Sequence, residues 1–357
     1  MKKITAFMLA AGLMISAVSF VMTSCTKEGP QGEPGKDGTN GTNAAATCMQ
    51  CHNFSDTIVT KIFQYNASQH ATGSTAMEGT RVDCAPCHTS QGFTECLATG
   101  AFKTAAPYND AAPINCRTCH NIHKTYTNAD WALATTAPFR ARYDSTVTID
   151  LAFDGGVSNL CGRCHQARIA SPALTNPTSS VDSIKMTSNR WGPHHGTQAL
   201  VMAAKGAFEI GSGAFGTSPH KDQTSCSTCH QGAAQGNLVG GHTLWMTNTG
   251  TGDNVVVCKT CHSSIGTTFD LNGAQTTIEG KFNELKVKMA VANMLDTTTM
   301  LLKVGTTANP KYYKQKALAA FWNFQMVYSD GSMGVHNYQY TYDMLQSGLD
   351  YFTALGY

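Results

Sequence analysis

Residues 218–245 read SPHKDQTSCSTCHQGAAQGNLVGGHTLW. At the centre stands Cys226-Ser-Thr-Cys229-His230, with His220 upstream and His242 downstream. Two cysteines three apart, followed at once by histidine, form the pattern that attaches a c-type haem. The cysteines can bond the two vinyl groups of one porphyrin as thioethers, and the adjacent imidazole reaches the iron. A haem iron has a second axial face, so the two flanking histidines read as candidates for that face.

Five more copies lie outward from this one: Cys48, Cys51 and His52; Cys84, Cys87 and His88; Cys116, Cys119 and His120; Cys161, Cys164 and His165; Cys258, Cys261 and His262. At this chain's own Cys and His frequencies, chance would supply roughly 0.02 such motifs. The alternatives are structural zinc, a redox dithiol or disulfides. Zinc requires four ligands per ion and has no need of a histidine directly after the second cysteine. Six covalently bound c-type haems are therefore expected. Of the 14 cysteines only Cys25 and Cys96 fall outside the motifs, and Cys96 reads as a small buried hydrophobe.

The chain has 13 histidines. Six are proximal, leaving His70, His123, His194, His195, His220, His242 and His336 for the distal faces. That is close to one per iron, so most should ligate. His123 follows His120 by three residues and cannot easily grip the same iron from behind, so another haem is its more plausible partner. Each ligating imidazole should donate its other N–H to a carbonyl or carboxylate, which sets the tautomer.

The N-terminus has a secretory layout. Lys2 and Lys3 precede an apolar run from Ile4 to Met22, then Thr23, Ser24 and Cys25. An uncleaved membrane helix is the competing reading. Met22-Thr23-Ser24-Cys25 resembles a bacterial lipoprotein cleavage box, which makes Cys25 the lipid-bearing first mature residue. Thr26 after it favours the outer membrane, and Lys27-Glu28 resembles a surface-export signal. Residues 29–43, GPQGEPGKDGTNGTN, carry glycine at every third position, read as a flexible tether or as a short collagen-like stalk.

The expected layout is a signal peptide over 1–24, a Gly-rich tether over 25–46, a six-haem domain over 47–270 and a helical region over 271–357 that packs on it. One motif falls roughly every 40 residues, so porphyrin should supply much of the core. The fold class is mainly α with long loops, a haem-packed core and long C-terminal helices; Val147 to Leu151 could form a short strand. Ile278, Phe282, Leu285, Met289, Ala292 and Leu295 mark an amphipathic helix. Asn309-Pro310 reads as the cap and first turn of a second helix running to about Tyr328. Asn337 reads as the cap of a third, with His336 at the break between them.

This arrangement resembles the ammonia-forming cytochrome c nitrite reductases and their hydroxylamine-oxidoreductase-like relatives, from about residue 60 to 352. CAPCH stands where those reductases have a catalytic CxxCK; CRTCH, CGRCHQAR, the His–CxxCH–His stretch and VCKTCH follow in the family's order. FWNFQMVYSDGSMGVHNYQYTYDMLQSGLDYF resembles the family's C-terminal segment, with its histidine between helices. The resemblance implies that His70, His220, His242 and His336 are distal ligands, and leaves His123, His194 and His195 for the other two haems. It also has departures. The catalytic lysine is His88, the active-site tyrosine is Arg168, the histidine expected before Phe208-Glu209 is missing from AAKGAFEI, and the Cys48–His52 motif is extra. The likeness is therefore closer to the family's electron carriers.

Three functions follow as expectations. The first is a carrier that moves electrons between other redox proteins or extracellular acceptors, held to the membrane through a lipid on Cys25, at the periplasmic or cell-surface side. The second is a reductase of small nitrogen or sulfur oxyanions with an open haem at Cys84–His88 and Arg168 steering the anion. The third is an adhesion or assembly subunit. Charged residues are only 13% and the net charge is +2, with no basic run longer than two residues, so no nucleic-acid partner is expected. Oligomerisation is left open.

Overall fold

The computed structural model describes residues 48, 49, 52, 56–306 and 308–357, all within one compact unit, Ala46–Tyr357. The signal, Cys25, the glycine-repeat tether and Cys51 lie outside the described residues. The described chain is mainly helical with long loops. Five of its helices reach ten residues or more: α1 Asp56–Asn66, α2 Ser90–Thr99, α3 Ala274–Val291, α4 Gln315–Asp330 and α5 Tyr338–Ala354. None is long and apolar enough to cross a membrane. Strands occur as short antiparallel pairs; Thr148–Ile149, within the expected 147–151 segment, pairs with Phe139–Arg140.

Helix α4 is the centre of the packing. Its Ala- and Leu-rich first half favours helix, and every residue from Ala317 to Phe324 is buried. A helix buried on all sides must be apolar all round, and this one nearly is. Gly331, at φ 70°, ends it in the left-handed conformation that glycine adopts without strain. Helix α3 lays the stripe Ile278, Phe282, Leu285 and Met289 against it, and Phe282 stacks on Phe324 with ring centres 4.4 Å apart. Helix α5 closes the layer with Met344, Leu345, Leu349 and Phe352. A Cβ on Gly348 would stand 2.9 Å from Leu285 Cδ2, so the bare backbone lets α5 approach α3.

Two expected boundaries need correction. The α3 stripe ends at Met289 rather than Leu295: Asn293 turns left-handed at φ 54°, and Leu295–Asp296 then pairs as a strand with Leu301–Leu302. Asn309-Pro310 does not open a helix. Lys311–Lys314 pairs as a strand with Ser183–Met186, and α4 starts only at Gln315. A four-residue ladder to a distant segment outweighs the local capping signal there, as tertiary context overrides propensity. Asn337 does cap α5, its side chain accepting from Tyr340 N.

Polar groups on α4 and α5 pin the loops around them. Asn323, fully buried, accepts from Phe208 N (2.9 Å) and donates to Phe208 O (2.8 Å). Trp322 Nε1 donates to Gly206 O, and Thr197 Oγ1 to Met326 O. The apolar core therefore joins α3–α5 to the segments around Phe139, Trp191 and Leu200. The region of the first motifs contributes only Ala85, Phe93 and Cys96 to the buried apolar set. There the motif side chains line a cavity instead.

Candidate functional site

Each of the six motif histidines faces a different one of the other seven. Ring centres are 6.2 Å apart for His52 and His123, 6.3 Å for His88 and His194, 6.3 Å for His120 and His242, 6.1 Å for His165 and His70, 6.2 Å for His230 and His336, and 5.8 Å for His262 and His220. A metal ion lies about 2 Å from an imidazole nitrogen, itself roughly 1.1 Å from its ring centre, so an ion gripped by two opposed rings sets centres about 6.2 Å apart. Five pairs match that spacing closely. The sixth is tight, with 3.5 Å between the Nε2 atoms of His262 and His220, and would widen by about 0.5 Å to seat an ion. His195 is the histidine left without a motif partner.

The pairs line one continuous cavity of about 3400 Å³, with all eleven described motif cysteines on its wall. Shared among six pairs that is about 570 Å³ each, within the ~300–1,000 Å³ of small-molecule sites. No described cysteine is in a disulfide. Among the described residues no three His, Cys, Asp or Glu side chains converge on one point, so the four-ligand environment of structural zinc is not formed. Two opposed imidazoles beside a cysteine pair, in a roomy cleft, fit a thioether-linked haem capped on both faces.

The imidazoles are prepared for ligation. Burial, with the charge of His165 second, holds His70 down at about 4. Burial does the same for His194, helped by Arg168, His195, His88 and Arg190, again to about 4. Both are neutral at pH 7, which is the state that binds metal. Several rings are also fixed in tautomer. His120 Nδ1 meets Trp131 O at 2.7 Å, His230 Nδ1 meets Leu244 O at 2.7 Å and His220 Nδ1 meets Val335 O at 2.6 Å. A carbonyl only accepts, so in each case Nδ1 carries the hydrogen and Nε2 keeps the lone pair. His165 Nδ1 donates to Gln198 Oε1 (3.1 Å), whose Nε2 is anchored on Ser329 O and Asp330 O at the end of α4.

His336 has the strongest partner. Its Nδ1 lies 2.7 Å from Oδ1 of Asp330, a carboxylate with no solvent exposure whose other oxygen accepts from Ser332. Burial pulls the His336 pKa down, but the Asp330 charge and hydrogen bond outweigh it and the net shift is upward. The 331–337 turn thus serves two sites at once, through Val335 O at His220 and through His336 itself. Asn337 ties it to the His220 segment, accepting from Ser218 N and Oγ at 2.9 and 3.0 Å.

His242 and His123 differ. Gln64 on α1 accepts from His242 N (3.1 Å) and donates to Gly236 O, pinning the loop that delivers His242. A Cβ on Gly241, at φ 56°, would stand 2.4 Å from Gln64 Oε1, so glycine is required for this approach. The His242 Nδ1 is buried without a hydrogen-bond partner among the described residues. At His123 the Arg117 guanidinium, which only donates, lies 3.1 Å from Nδ1, and Tyr126 stacks on the ring. Ligation through Nε2 there requires Arg117 to let go of Nδ1.

Sequence reading missed the groups behind the ligands: Asp330, Gln198, Gln64 and three carbonyls. Asp330 alone carried a signal, an acidic side chain six residues before a candidate ligand at a helix end. The carbonyls belong to Trp131, Leu244 and Val335, and no residue type marks a carbonyl.

The contacts between motifs give the sites an order. Cys87 lies close to Cys164, and Cys161 close to Cys226. Cys119 lies near both Cys161 and Cys164, and Cys229 near Cys258. Asp154 bridges two motif turns, accepting from Ser158 N and Oγ (3.1 and 2.7 Å) and from Ser227 Oγ (2.8 Å).

No family model and no curated protein matches the chain. Among solved structures it is similar to the outer cell wall cytochrome OcwA, with a TM-score of 0.47 and 19% identity over 82% of this chain and 50% of that one. It is also similar to an undecahaem cytochrome from the S-layer of Carboxydothermus ferrireducens, with a TM-score of 0.42 and 19% identity over 76% of this chain and 38% of that one. The chain spans half or less of the length of either.

Proposed function

We propose that the chain is an exported hexahaem c-type cytochrome that passes electrons between redox partners. The observation that carries this is the one-to-one pairing of six motif histidines with six others at 5.8–6.3 Å. A haem held by two imidazoles supplies a one-electron couple with no open coordination position. The protein's part is to hold each cysteine pair and its two imidazoles, fix their tautomers and keep the sites contiguous. From the nearness of the motif cysteines, the sites run in a row from His120/His242 through His165/His70 and His230/His336 to His262/His220, with His88/His194 as a branch beside His165; the three-residue step from His120 to His123 sets His52/His123 at the head of the row. The two ends of the row are the natural places for partners to dock. Export and attachment through Cys25 complete the reading, with the tether separating lipid from cytochrome.

The oxyanion-reductase reading requires an open face above His88. It has Arg168 and Arg190 near His194 in its favour. Against it, the His194 ring stands opposite His88 at ligating distance.

The test is direct. Intact-mass measurement of the mature protein should show six added haems, and the ferric protein should be low-spin throughout and unresponsive to nitrite or cyanide. A mass without porphyrin would end the proposal; a high-spin signal answering to nitrite would transfer it to the reductase.

A further inference from the structure

We propose that His195 is a reserve axial ligand for the His88 site, able to replace His194 there. This rests on the reading that the motifs carry haem. Neighbouring side chains on an extended chain point to opposite faces. At WGPHHG they do not. His194 sits in the left-handed region at φ 70°, between Gly192 at φ 154° and Gly196 at φ 80°. The bend brings the two imidazoles to the same side, ring centres 4.8 Å apart and planes at 46°.

His195 is also the histidine that the pairing leaves over, and it borders the same cavity as His88 and His194. Neither His194 nor His195 has a side-chain hydrogen bond to another described residue. The rings of His120, His165, His220, His230 and His336 are each tied through Nδ1. Two untied imidazoles on one exposed turn, beside one proximal histidine, make a site with two interchangeable ligands. Exchange moves no electrons and needs no co-reactant. It alters the orientation and hydrogen bonding of the distal imidazole, which are among the levers that set a haem's potential. The branch site would then have two low-spin states of different potential.

The experiment uses full-length, haem-loaded protein with His194→Gly, His195→Ala and the double variant. Glycine suits the left-handed backbone at 194, so the turn should survive. Haem count by mass and spin state by electron paramagnetic resonance are read on each. Both single variants should keep six low-spin haems, with the signal of one haem shifted in His194→Gly. The double variant should show one high-spin haem per chain, which added imidazole returns to low-spin. One high-spin haem in His194→Gly alone, or in His195→Ala alone, would overturn the proposal, as would an all-low-spin double variant. Fewer than six haems in the unmutated protein would instead defeat the underlying haem reading.

Discussion

At the residue scale, what matters is what stands behind each imidazole. Five rings are tied through Nδ1 to an acceptor, and His336 alone is tied to a carboxylate. A hydrogen bond to a charged acceptor makes the imidazole a stronger donor to metal and favours ferric over ferrous iron. Replacing Asp330 with Asn keeps the shape and removes the charge. A charged hydrogen bond exceeds a neutral one by about 1 kcal/mol, so one haem in Asp330→Asn should rise in potential by roughly 50 mV. Spectroscopically monitored redox titration checks this, and an unmoved set of potentials would mean that the carboxylate does not act on the site. His336 was legible as a candidate because histidine beside six haem motifs has few other uses. For Asp330 the sequence offered only its place six residues before His336 at a helix end, because nothing in a linear sequence says which oxygen ends up behind a ring.

At the element scale, the turn between α4 and α5 carries most of the positioning. Asn337 is fully buried, caps α5, accepts twice from Ser218 and donates to Thr217 Oγ1 (2.9 Å). Losing a cap costs about 1 kcal/mol, and stranding buried partners adds about 1–3 kcal/mol. Asn337→Ala should therefore lower stability by about 2–4 kcal/mol in chemical denaturation, and should disturb the His220 and His336 sites before the others. The three C-terminal helices were legible from their periodicity and from Asn337. Their boundaries were not all legible: the strand at Lys311–Lys314 exists only because Ser183–Met186, over a hundred residues earlier, lies alongside to exchange hydrogen bonds with it.

At the scale of the whole molecule, the motif turns are held against one another by few polar ties, and Asp154 is one of them. Burial opposes its charge, but hydrogen bonds from Ser158, Ser227 and Ser225 prevail, so its pKa lies below the ordinary 3.8. A carboxylate depressed in the folded state adds stability that is complete above its unfolded pKa and is lost as pH falls through the folded one. Unfolding followed from pH 6 down to pH 2 should show stability falling from about pH 4, and Asp154→Asn should flatten that fall while lowering stability at pH 6. An identical pH profile in the variant would show that the bridge between Ser158 and Ser227 carries no load.

Covalent chemistry is written in local sequence. Cys-x-x-Cys-His is a five-residue requirement, so twelve motif cysteines, the six histidines that follow them and the surplus of seven more could all be read directly from the chain. Local periodicity likewise marked the three C-terminal helices, because a buried stripe repeats within a few residues. Which distal histidine faces which proximal one could not be read, because those partners are 42 to 122 residues apart. Only the packing of α3–α5 against the loops decides that. The same packing brings Asp330 and Gln198 behind their histidines, while the bend at His194 brings the His194 and His195 rings to one side.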